Sequence, residues 1–128
     1  MSPATQYNLA DLFEANVDVI GDREALVVGD KRLTYRELDV RSNRLAHHLT
    51  GHMGVKPGDH VGMHMINGVE FVEGILACLK IRAVPINVNY RYVEEELRYI
   101  YDNADMVAIL VNEEFVDRAK GAAAPPMM

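Results

Sequence analysis

Apolar positions along this chain switch between two periods. Leu9, Leu12, Phe13, Val17 and Ile20 recur at helical spacing, with Asn8 placed to cap the segment and Gly21 to close it. Residues 25–35, ALVVGDKRLTY, hold two short apolar runs around Gly29-Asp30, the pattern of a β-hairpin. Thr34 then stands in capping-box register with Glu37, and Leu38, Leu45 and Leu49 give the next helix its stripe until Gly51 to Gly54 end it. Pro57, Gly58 and Asp59 make a turn ahead of a run from His60 to Ile66 that alternates as a strand does.

The second half repeats this alternation. Val69, Val72, Ile75, Leu76 and Leu79 form a broad helical face, mostly buried, with Glu70, Glu73 and Lys80 grouped on the other side. AVPI at 83–86 is the next strand, EEELRYIYDNAD at 94–105 a helix through Leu97, Ile100 and Tyr101, and MVAILV at 106–111 a strand apolar on both faces. Glu113 to Lys120 reads as a last short helix. Strand, helix, strand, helix, strand with apolar strands predicts an α/β fold: a mainly parallel sheet with helices on both faces, plus the N-terminal hairpin. Ligands gather beyond the carboxyl ends of such strands, where the polar loop of residues 87–92 falls. Asn87 and Asn89 also read simply as turn formers.

Composition narrows the field. At 128 residues and a formal net charge of -6, the chain is one domain at most, and it is poorly suited to binding phosphate backbones. Cys78 is the single cysteine, so no internal disulfide forms. The first ten residues lack a basic segment followed by an apolar one, and the richest apolar stretch, Val69 to Ile81, is broken by Glu70, Glu73 and Lys80. A cytoplasmic, non-spanning protein is expected.

Three phrases carry a resemblance: LTYRELDVRSNRLAHHL at 33–49, GVKPGDHVGMHMINGVEFVEGILACLKIRAVPINVNYRYVEEELRYI at 54–100, and NADMVAILV at 103–111. In this order and spacing the chain resembles the beginning of the AMP-forming acyl-CoA synthetases, within the adenylate-forming ligase superfamily. The resemblance implies that residues 1–120 are the N-terminal portion of an AMP-binding synthetase domain and that 121–128 form a disordered tail. It also implies, for the full-length enzyme, ATP, magnesium and coenzyme A, with a carboxylic or fatty acid converted through an acyl-adenylate to its coenzyme A thioester. The loop at Asn89, Tyr90 and Arg91 then lies near the tunnel for the pantetheine arm. Asn89 and Tyr90 line it, and Arg91 meets a phosphate or bonds nearby backbone.

The sequence departs from the family pattern in several places. Val93 and Glu94 replace a usual cap and first-turn proline, and Arg82 stands where many members have glycine, so a left-handed turn there is harder to make. The tail GAAAPPMM leaves the pattern and reads like the end of a truncated or frameshifted frame. The Ser/Thr/Gly-rich phosphate loop is missing, since Ser2, Thr5, Thr34, Ser42 and Thr50 are scattered. The chain alone is therefore expected to be inactive, with no catalytic residue, no metal site and no cofactor of its own. The alternative is a stand-alone α/β binding or self-assembly module, homo-oligomeric through exposed sheet edges.

Other candidate chemistry reads more simply as structure. His48 and His52 stand four residues apart, like two zinc ligands, but no glutamate follows His48 and the helix is expected to be ending at Gly51, so both are assigned to solvent. His60 and His64 share one strand face and are expected to be hydrogen-bonded or solvated, and Cys78 reads as a small core residue. Glu94, Glu95 and Glu96 read as a solvated first turn favoured by the helix dipole, and Arg118 and Lys120 as surface charge.

Overall fold

The computed structural model describes residues 9–66, 68–88, 94–103 and 105–112. The expected cap Asn8, the loop residues Asn89 to Val93, the helix from Glu113 to Lys120 and the tail from residue 121 lie outside these. Helix α1 (Leu9–Ile20) buries Ala10 and Val17. Strands β1 (Glu24–Val28) and β2 (Lys31–Thr34) pair antiparallel, and Gly29 supplies the positive φ of 58° that their turn requires. Helix α2 (Tyr35–Gly51) starts on the predicted capping box: Thr34 Oγ1 accepts from the Glu37 N–H at 3.1 Å, and Glu37 Oε1 accepts from the Thr34 N–H at 2.8 Å.

Strand β3 (His60–His64), helix α3 (Val69–Lys80), strand β4 (Val84–Asn87), helix α4 (Glu94–Asn103) and strand β5 (Met106–Val111) follow. The strands form a parallel sheet in the order β4-β3-β5, while the hairpin stands as a separate two-stranded sheet against α2. The chain steps from β3 outward to β4 and returns past β3 to β5. Right-handed crossovers in opposite directions place α3 and α4 on opposite faces. Burial follows that geometry. Val61, Met63 and Met65 pack with Ala77 and Cys78 on one face, while Leu97 packs with Val88, Met106 and Ile109 on the other. Gly62 faces the second cluster, where an added Cβ would sit 2.6 Å from Met106 Sδ and the Met106 side chain would have to shift.

The strand expected to reach Ile66 ends at His64, and His64 is fully buried, which removes the solvated reading. Part of the polar side of α3 is also buried. Lys80 Nζ, with its side chain only 6% exposed, lies 2.6 Å from Asp39 Oδ1 of α2 and 2.5 Å from Glu14 Oε2 of α1, above the Phe13 ring. Glu73 is likewise buried and accepts from Arg41 Nε. Helices α1, α2 and α3 thus form one layer, and two of the charges that periodicity placed away from the sheet, Glu73 and Lys80, lie between helices.

Helix α3 closes on Arg82. The Arg82 N–H donates to Leu79 O at 3.1 Å and the Ala83 N–H to Cys78 O at 2.9 Å, the two bonds of a Schellman motif, with Arg82 at φ 64° in the position glycine usually takes. Its guanidinium lies 3.2 Å from both Asp11 carboxylate oxygens and donates to Leu79 O. Arg82→Gly gives up this pair, worth at most about 1 kcal/mol at the surface, and relieves the left-handed strain, whereas Arg82→Ala gives up the pair and keeps the strain. Urea unfolding should find the glycine variant more stable than the alanine variant by about 1 kcal/mol. Equal stabilities would mean that this cap does not form in solution.

Candidate functional site

The carboxyl ends of β3, β4 and β5 open onto one rim. Asn112, just past β5, ties that rim together: its N–H donates to His64 O at 3.3 Å, and its side-chain Oδ1 accepts from the Ile66 N–H at 2.8 Å. On the other flank the Val88 N–H donates to Met63 O at 3.1 Å, which carries the end of β4 along β3 and leaves Asn87 exposed at the mouth of the polar loop. The loop therefore starts beyond the carboxyl end of β4, on the side of the sheet where ligands gather. Asn89, Tyr90 and Arg91 themselves lie outside the described residues.

Between this rim and the hairpin turn is a surface cavity of about 410 Å³, lined by Val28, Asp30, Lys31, Ile66, Gly68, Val69, Glu70 and Asn112. Lys31 Nζ and Glu70 Oε1 stand 3.5 Å apart across it and link the hairpin to the first turn of α3. The Glu70 carboxyl is held below its usual range, first by a hydrogen bond from its own main-chain N–H and further by Lys31 and Arg41, against partial desolvation. Periodicity alone does not reveal this pair, because its partners belong to different elements. A second cavity of about 440 Å³, between the hairpin and α2, is lined by Asp22, Leu33, Thr34, Arg36, Glu37, Val40 and Arg41. Its charges are committed: Arg36 pairs with Asp22, Arg41 with Glu73, and Glu37 closes the capping box. Neither cavity brings together a nucleophile, a base and an orienting group.

Comparison with known proteins shows the family. The AMP-binding enzyme family matches residues 13–126. The chain belongs to the AMP-binding enzymes. A 3-oxocholest-4-en-26-oate--CoA ligase of Rhodococcus rhodochrous is 50% identical over 111 residues, covering 87% of this chain and 20% of the relative. A medium/long-chain-fatty-acid--CoA/3-oxocholest-4-en-26-oate--CoA ligase of Mycobacterium marinum is 48% identical over 115 residues, covering 90% of this chain and 21% of that one. The chain thus spans about a fifth of the curated relatives it matches.

Among solved structures, the fold matches a benzoate CoA ligase from Burkholderia xenovorans with a TM-score of 0.85 at 21% identity, covering 91% of this chain and 24% of that one. It also matches the N-terminal domain of FACL13 from Mycobacterium tuberculosis with a TM-score of 0.84 at 25% identity, covering 95% and 32%. The parallel sheet with its N-terminal hairpin is that of the N-terminal domain of adenylate-forming enzymes.

The residues present do not by themselves fit ATP and magnesium. There is no run of hydroxyl and glycine residues to surround a polyanion, and among the described residues no group of three or more His, Cys, Asp or Glu side chains is placed to hold a metal. No catalytic step is therefore assigned to this segment. Among the described residues no helix is long and apolar enough to cross a membrane.

Cys78 is wholly enclosed by the core, and burial pushes its thiol from 9.0 up to about 12. Folding thus favours the neutral thiol. The corresponding stability is fully present below pH 9 and is lost as pH rises from 9 toward 12. At pH 8, alkylation of Cys78 by iodoacetamide should proceed only as fast as the core opens. Modification of the native chain at the rate of a free thiol would contradict this enclosure.

Proposed function

We propose that residues 9–112 form the opening layer of a carboxylic acid:coenzyme A ligase acting on acids with a long apolar body, either medium- to long-chain fatty acids or a sterol-derived carboxylate. What carries this reading is the 50% identity over 111 residues to the Rhodococcus 3-oxocholest-4-en-26-oate--CoA ligase. In the proposed whole-protein reaction, the acid is activated with ATP to an acyl-adenylate, which the thiol of coenzyme A converts to the thioester. The enzyme is proposed to work in the cytoplasm. The layer supplies a rigid sheet whose rim presents the loop of Asn89, Tyr90 and Arg91 beside the pantetheine arm. It binds and excludes water at that rim; the chemistry belongs to parts of the enzyme with a phosphate-binding loop.

Transplantation tests this. Residues 9–112 should replace the matching segment of the Rhodococcus ligase with acyl-CoA formation kept within about tenfold, roughly 1.4 kcal/mol of barrier. In that background Tyr90→Ala should raise KM for coenzyme A while leaving adenylate formation unchanged. The 128-residue chain by itself should form no acyl-adenylate. A transplanted enzyme that folds as its parent does but has lost activity, or an isolated chain that makes the adenylate, would overturn the proposal.

A further inference from the structure

The end of α2 carries two exposed imidazoles. His48 and His52 have ring centroids 4.9 Å apart with planes inclined by 32°. Helix α2 ends at Gly51 as expected, and His52 is its C-cap. His52 keeps right-handed helical dihedrals, φ −101° and ψ −35°, and its N–H donates to His48 O at 2.9 Å. The helical path therefore continues through His52, and both rings project from one side of it.

Their separation matches a chelating pair. A transition-metal ion about 2.0–2.1 Å from an imidazole nitrogen sits roughly 3.2 Å from that ring's centre, so two imidazoles at right or tetrahedral angles have centroids about 4.5–5.2 Å apart. The observed 4.9 Å falls inside that interval. The carbonyl end of α2 adds a negative potential that favours a cation. Two imidazole donors select borderline ions such as Ni²⁺, Cu²⁺ and Zn²⁺ over magnesium and calcium, which prefer oxygen.

We propose that His48 and His52 form a surface site for one borderline divalent transition-metal ion, with water completing its coordination. The site lies at the C-terminal end of α2, in the helix layer.

Calorimetric titration of the 128-residue chain with NiCl₂ tests it. One ion should bind per chain. His48→Ala and His52→Ala should each weaken binding by at least the roughly tenfold that loss of an outer-sphere partner costs a metal site. His47→Ala removes an exposed neighbouring imidazole on a different face and should leave binding unchanged. His48→Gln keeps a polar side chain in the helix and should behave as His48→Ala, so that a folding defect in one variant does not obscure the result. Absence of nickel binding, equal losses in the His47 and His48 variants, undiminished binding in the His48 and His52 variants, or equal binding of MgCl₂ would each overturn the proposal.

Discussion

Strand β3 is paired along both edges and covered on both faces, and the rest of the fold is arranged to meet that demand. Val61 and Met63 face one side of the sheet and His64 alternates to the other, and all three are essentially without solvent exposure, so both faces need packing. A three-stranded parallel sheet cannot leave either face wet when its strands are this apolar. The alternating direction of the two crossovers resolves the problem by sending α3 to one face and α4 to the other. Glycine makes room for neighbouring side chains: Gly62 admits Met106 of β5 on one face, and Gly74 of α3 admits Met63 and Leu110 on the other.

The outer helices are fastened by charge. Lys80 is nearly enclosed between Asp39, Glu14 and the Phe13 ring, and the Arg41–Glu73 pair closes a second seam between α2 and α3. Such pairs offset the cost of desolvating their own ions more than they add net stability, but removing one partner leaves a buried charge uncompensated. They therefore act chiefly as registration devices, setting how α1 and α2 sit on α3. The Arg82–Asp11 contact extends this registration to the point where α3 turns into β4.

Local signals made much of this legible. The capping box at Thr34, the hairpin turn at Gly29 and the strand MVAILV required no tertiary information, because each depends on neighbours within a few residues. The polar side of α3 did not yield to such reading. Periodicity separates Glu73 and Lys80 from the sheet-facing residues but cannot say that a second helix will cover them. Arg82 shows the converse: the expected difficulty of a left-handed turn is real, yet two main-chain bonds and an acidic partner hold the residue there. The end of α2 at Gly51 was legible from the glycine, but the right-handed dihedrals that its C-cap His52 keeps were not. At the site, the position of the polar loop at the mouth of β4 followed from topology. The Lys31–Glu70 pair on the neighbouring rim needed the folded arrangement of hairpin and sheet.

Family membership gives this layer its context: in the proposed ligase, the rim is a partial surface that other parts complete. That view requires the layer to hold together on its own contacts. Native-state hydrogen exchange on the 128-residue chain tests this most directly. The amides of Val61 to His64 should be the slowest to exchange, opening only with global unfolding, while those of the β1–β2 hairpin exchange sooner. Exchange of the β3 amides at unprotected rates would contradict the account, because the doubly covered central strand would then not form in this chain.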